Sequence, residues 1–223
     1  MTSVFLQVRL DSSRLPGKAL AILGDKTVVQ CCFQALSNIR ADRRILVTEP
    51  GSIEILGPLA EAAGWESFVG SKNDVLDRFV QTARATGTTT IVRATGDNPF
   101  VSAALANRLL DLHESHQADY SGFIGAPVGT GVEILRAHAL EEAWASHPDD
   151  YEREHVSPFL YRRPDRFRIL RPDVPLEYQA AEARVTLDTS EDLGYLRKLW
   201  ADLFCGRALE VEDFIPWLKN HPR

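Results

Sequence analysis

The chain has 223 residues, enough for one large hydrophobic core or at most two small ones. Acids outnumber bases 31 to 25, a formal net charge of −6, which argues against a general nucleic-acid binder but leaves room for a local cation cluster that holds an anionic nucleotide. Three cysteines (Cys31, Cys32, Cys205) without CxxC or Cys/His spacing argue against a structural zinc site, and no stretch approaches the ~18 apolar residues of a membrane span. A soluble cytoplasmic protein that binds neither nucleic acid nor membrane is expected.

In chain order, Val4 to Val8 reads as a buried first strand, followed by a polar loop from Arg9 to Lys18. Val28, Val29, Cys32, Phe33, Leu36 and Ile39 recur at helical spacing. Ile45 to Val47 predicts a short buried strand, and Ile53 to Ala63 a helix that stops at Gly64. Phe68-Val69 reads as a weak strand and Val75 to Ala83 as an amphipathic helix. Thr89 to Val92, rich in β-branched residues, predicts a strand running into the turn Thr95-Gly96-Asp97-Asn98-Pro99, with a helix from about 103 to 113 behind it. This alternation predicts an α/β fold with a parallel sheet and helices on both faces. Beyond Ala118 the order changes. Strands are expected at 119–123, 128–135, 167–170 and 184–187, and helices at 137–145, 151–161, 190–204 and 211–219. With no repeat and no linker, one domain over 1–223 is the economical reading.

The first loop, Arg9-Leu10-Asp11-Ser12-Ser13-Arg14-Leu15-Pro16-Gly17-Lys18, carries three cations, two hydroxyls and a glycine. In α/β sheets ligands bind beyond the carboxyl ends of strands, where a triphosphate needs cations and backbone N–H groups. Arg9 and Arg14 can bridge phosphate oxygens, Lys18 supplies a compact charge near the phosphorus under attack, and Gly17 allows close backbone approach. The competing reading is a solvated loop. A Walker loop is excluded because its first glycine is missing and Ala19 follows the lysine, and no G-x-G-x-x-G opens a helix. Asp97 and Asp188 each follow a predicted strand. Two carboxylates on that edge suit Mg2+, which takes one or two carboxylates plus phosphate and water. Alternatively Asp97 forms the turn before Pro99, and Asp188-Thr189-Ser190 caps the following helix.

These segments resemble the cytidylyltransferases that make CMP-3-deoxy-octulosonate and CMP-sialic acids, and above all the spore coat polysaccharide biosynthesis group. The resemblance rests on residues 9–18, Gly70-Ser71-Lys72-Asn73-Asp74-Val75-Leu76-Asp77-Arg78, Ile91 to Pro99, Glu152-Arg153-Glu154-His155-Val156, and Arg184 to Asp192, all in family order. It implies a fold like the GT-A nucleotide-diphospho-sugar transferases, twisted and mostly parallel, and transfer of CMP from CTP to a sugar or sugar-acid acceptor with release of pyrophosphate. It implies that Arg9, Ser13, Arg14 and Lys18 hold the triphosphate, with Arg9, Arg14 and Lys18 stabilising its transfer. It further implies that Asp74 lies near the base, that Asp97 and Asp188 hold Mg2+, and that Glu133, Arg153, Glu154 and His155 lie toward the acceptor. His155 has a bland alternative as a structural hydrogen-bonder. An insertion around 119–170 is expected to serve the acceptor or a homodimer contact, as strand pairs there do in similar cytidylyltransferases. The sequence departs from the family at Thr48-Glu49-Pro50, beside the base pocket, and at Gly129-Thr130-Gly131, before Glu133. A GT-A glycosyltransferase and a non-catalytic nucleotide-binding module are the alternatives; no D-x-D motif precedes a plausible acceptor region, as the glycosyltransferase would need.

Overall fold

The computed structural model describes residues 1–12 and 14–222; Ser13, assigned above to the triphosphate, lies outside the described residues. The elements in chain order are β1 (Thr2–Gln7), β2 (Ile22–Leu23), β3 (Lys26–Thr27), α1 (Val28–Leu36), β4 (Arg43–Thr48), α2 (Ile53–Ala62), β5 (Glu66–Val69), α3 (Val75–Thr86) and β6 (Thr90–Thr95). They continue as α4 (Ala103–Ser115), β7 (Tyr120–Gly122), β8 (Glu133–Arg136), α5 (Ala137–Ala145), α6 (Asp150–His155), α7 (Pro158–Tyr161), β9 (Ile169–Leu170), α8 (Ser190–Leu203) and α9 (Val211–Asn220).

Seven strands form one sheet in the order β5-β4-β1-β6-β8-β7-β9. The first four are mutually parallel, because each is followed by a helix that returns the chain to the opposite edge. Side-chain alternation sends Val4 and Leu6 to one face and Phe5 to the other. Helices α1, α2, α4, α8 and α9 cover the first face, and α3 and α5 cover the second. All four parallel strands therefore deliver their carboxyl ends, Gln7, Thr48, Val69 and Thr95, to one sheet edge. β8 enters antiparallel to β6, with Glu133 opposite Arg93 near that same edge.

Two expected strands and one expected helix are corrected. Of the 128–135 run only 133–135 lie in a strand, β8, and 184–187 form none. The two segments meet at a single bridge, Val128 to Arg184. The backbone donors there go to loop carbonyls instead: Val185 N–H to Val128 (2.8 Å) and Leu187 N–H to Asp97 (2.8 Å). The helix expected over 151–161 is split into α6 and α7 by Val156, a buried β-branched residue with φ 69 and ψ −60. Ser157 N–H donates to the His155 carbonyl at 2.8 Å, closing a γ-turn of the rarer, strained hand.

Candidate active site

Gly17 sits at φ 68, the left-handed region, and starts the 3-10 turn Lys18–Leu20. A β-carbon there would meet no protein atom within 4 Å, so what the protein itself requires of the glycine is the left-handed backbone of the turn. The turn aims Lys18 back at the sheet. Its ammonium donates to Asp97 Oδ2 (2.7 Å), Asp188 Oδ1 (2.9 Å) and the Leu187 carbonyl (2.9 Å). Arg14 Nη2 adds a bond to Asp188 Oδ1 at 2.8 Å, and Arg184 pairs with Asp188 Oδ2. Two carboxylates 91 positions apart in sequence thus meet around one lysine, because β6 and the loop before α8 end side by side and the Leu187-to-Asp97 backbone bond ties them.

The two acids are placed by different local devices. Asp97 follows β6 in a turn, where it accepts from Thr95 Oγ1 (2.6 Å), and Asn98 Nδ2 donates to that same hydroxyl (2.9 Å). Asp188 does not cap α8. Thr189 does, in a reciprocal capping box with Asp192, whose carboxylate also accepts from Asp188 N–H at 2.8 Å. The cap therefore orients Asp188 and leaves its carboxylate to the site, although its side chain is only 9% exposed. A carboxylate buried to that degree needs cations, and it has three.

A cavity of about 330 Å3 opens beside this cluster, lined by Arg9, Arg14, Lys18, Asp97, Glu154 and His155 among others. Arg9 leans over it through loose contacts to Asp11 (3.5 Å) and Glu154 (3.6 Å). The His155 ring lies on Tyr151, centroids 4.3 Å apart. A second cavity, also about 330 Å3, adjoins the first through Arg93 and Thr95 and reaches Asn98, Tyr120 and Glu133. Glu133 accepts from Arg93, from Ser157 Oγ (2.6 Å) and from Tyr120 OH (3.1 Å). The residues the sequence grouped thus fall into two places. Glu154 and His155 face the cavity of the cation loop, whereas Glu133 faces the neighbouring one. Asp74 and Arg153 line neither: they pair with each other, and Asp74 caps α3 through Asp77 N–H at 2.8 Å. Sequence reasoning passed over Arg93 and Arg184, although both lie in motifs it had singled out, since nothing local to an arginine says which cavity or which distant carboxylate it will meet.

Among the described residues no group of three or more His, Cys, Asp or Glu side chains is placed to hold a metal. The oxygens that converge on the Lys18 ammonium, two carboxylates and a carbonyl, nevertheless form the hard-donor set that suits Mg2+ completed by phosphate and water.

This fold is that of the nucleotidyltransferases that handle nucleotide sugars. A cytidylyltransferase from Leptospira borgpetersenii serovar Hardjo-bovis superposes with a TM-score of 0.91 at 25% identity, over 99% of this chain and 94% of that one. The chain belongs to the cytidylyltransferase family, whose model matches residues 4–212. It is 31% identical to the spore coat polysaccharide biosynthesis protein SpsF of Bacillus subtilis, over 97% of this chain and 93% of that one. It is 22% identical to a 3-deoxy-manno-octulosonate cytidylyltransferase of Marinobacter nauticus, over 97% and 78% respectively.

Proposed function

We propose that this chain transfers CMP from CTP to a sugar or sugar-acid acceptor, through a hydroxyl or phosphate oxygen of the acceptor, in the synthesis of a cell-surface polysaccharide or glycoconjugate precursor. The observation that carries the proposal is the convergence of Arg14, Lys18, Asp97 and Asp188 at the carboxyl edge of the sheet. The acceptor oxygen attacks the α-phosphorus, losing its proton if it is a hydroxyl, the bond to the α–β bridging oxygen breaks, and pyrophosphate leaves. Such a reaction depends on positioning and charge neutralisation more than on covalent chemistry. Arg9 and Arg14, at the open side of the cavity, hold the phosphate oxygens. Lys18, anchored by its Gly17 turn, meets the charge that grows on them. Asp97 and Asp188 are the residues that would hold Mg2+, which when bound neutralises phosphate charge. Glu133 and its cavity, one strand further along the sheet, take the acceptor. Among the described residues no helix is long and apolar enough to cross a membrane.

Saturating CTP with Mg2+ should raise the melting temperature. At a hundred times the dissociation constant the stabilisation is about 2.7 kcal/mol, or roughly 5–10 °C for a domain of this size. No shift with CTP, UTP, ATP or GTP would end the nucleotidyltransferase reading.

We also propose a homodimer. Ile124 (44% exposed), Val128 (46%) and Leu176 (81%) leave apolar surface on and beside the irregular 119–170 region. Light scattering at micromolar concentration should give twice the 24.9 kDa of one chain, and the mass of one chain would refute the pairing.

A further inference from the structure

Of the three non-glycine residues with positive φ among the described residues, Gln117, His147 and Val156, only Val156 is β-branched and fully buried. Such a backbone is rare for a valine and persists only where the surroundings over-determine it. Here both sides of the bend are pinned. Val156 belongs to the buried cluster on the second sheet face, and the Ser157 hydroxyl donates to Glu133 at 2.6 Å. The bend leaves Glu154 and His155 on the first cavity while Ser157 holds Glu133 on the second, and the two cavities meet at Arg93 and Thr95. A nucleotide phosphate in the first and an acceptor in the second would come together where this turn runs.

Moving a proton at that junction needs a group with a free lone pair. Arg9, Arg14 and Lys18 of the first loop and Arg93 of β6 share the cavity with His155, and as cations none of them can accept a proton. Asp97 is taken by Lys18 at 2.7 Å, and Glu154 faces Arg9 at 3.6 Å. On the packed side of α6, Asp74 before α3 is paired with Arg153, and the Arg162 guanidinium beyond α7 lies 4.8 Å from the centre of the Tyr151 ring. His155 itself is exposed. Its ring rests on Tyr151, and among the described residues neither ring nitrogen has a hydrogen-bond or ion-pair partner. Imidazole is the side chain that exchanges a proton near neutral pH, the condition for efficient general base catalysis.

The second cavity indicates what such a base acts on. Among the described residues that line it the cation is Arg93, which is committed to Glu133 and to Gln7 Oε1 (3.2 Å), so the lining offers a dianionic phosphate no uncommitted positive charge. A phosphate oxygen is already ionised at neutral pH and needs no base, whereas a hydroxyl must lose its proton. We propose that His155 is the general base of the transfer and that the acceptor attacks through a hydroxyl. The hydroxyl proton passes to a ring nitrogen of His155 as the new O–P bond forms. The bond from the α-phosphorus to the bridging oxygen breaks, its electron pair leaves on pyrophosphate, and the imidazolium then returns its proton to water. The inference rests on the transfer reading above.

Pyrophosphate release from CTP with Mg2+ is measured first on the wild type, with a panel of sugars, sugar acids and sugar phosphates that includes 3-deoxy-manno-octulosonate, glucose and glucose 1-phosphate. A hydroxyl acceptor should be turned over, and faster turnover of a phosphate overturns the proposal. Release with none of them removes the transfer reading and the inference with it, before any variant is made. With the active acceptor, His155→Ala and His155→Gln should each lower the single-turnover rate by on the order of 100-fold or more, and leave the melting temperature and its rise with CTP unchanged. The wild-type rate should fall as pH drops through the range where imidazole gains its proton, and this acid limb should vanish in both variants. Added imidazoles should restore His155→Ala, the stronger bases faster. A ring that only stacks on Tyr151 or only holds the acceptor behaves otherwise. Rescue that ignores base strength, an acid limb that survives the substitution, or a normal rate with only a raised Michaelis constant for the acceptor overturns the proposal.

Discussion

Replacing Asp188 by asparagine should lower pyrophosphate release by on the order of 100-fold or more while the protein remains folded, the scale expected when one electrostatic element of a transfer site is lost. Asparagine keeps the shape of the side chain and one acceptor oxygen, so the packing beside Asp192 survives. The charge does not. Lys18, Arg14 and Arg184 all lean on this carboxylate, and its loss leaves three cations with Asp97 alone of the two acids to balance them or to hold a metal. Asp97→Asn should act in the same direction through the other side of the same cluster. If both acids serve one ion, as proposed, the double variant should be little worse than either single variant. Single-turnover assays beside thermal melts check this. A variant that turns over like the wild type removes that residue from the metal role, and full additivity assigns the two acids to separate tasks.

Lys18→Ala should cost at least about 100-fold in turnover at saturating CTP, with a smaller change in the Michaelis constant for CTP. The reason is where the ammonium stands. Held between Asp97 and Asp188 and only 14% exposed, it would, in the proposed reaction, meet charge that grows during transfer more than charge already present on the bound nucleotide. Lys18→Arg should rescue poorly, because a planar fork cannot set one point charge between two carboxylates and the Leu187 carbonyl. The structure adds a further consequence. Lys18 competes with any divalent ion for the two acids, so Lys18→Ala should reach its residual maximum at a lower Mg2+ concentration than the wild type. A variant with a raised Michaelis constant and normal turnover would show that Lys18 binds ground state and transition state alike.

Much of this site can be read along the chain. The alternation of apolar strands and amphipathic helices up to Ser115 settles the parallel half of the sheet. Helix-cap chemistry in Asp188-Thr189-Ser190 marks a helix start that the structure reproduces through Thr189. The cation loop and Asp97 were legible as companions on one edge because parallel neighbours end together, as Gln7 and Thr95 do. What a window of neighbouring residues cannot contain is the partner of a strand or of a charge. The β-branched run at 184–187 looks like a strand, but no ladder is offered to it, and its N–H groups go to Val128 and Asp97 instead. Val156 sits inside a helical pattern, yet its γ-turn joins Glu154 and His155 at the cavity to Ser157 on Glu133, a bend that long-range packing must hold against local preference. The ion cluster of Lys18 with Asp188, 170 residues away, and the burial of Arg78 under Gly70 are likewise products of tertiary contact. Local order follows from backbone sterics and side-chain periodicity, which the sequence by itself determines. The electrostatics of the site follow from which distant ends the sheet brings together and seals from water, and only the tertiary structure decides that.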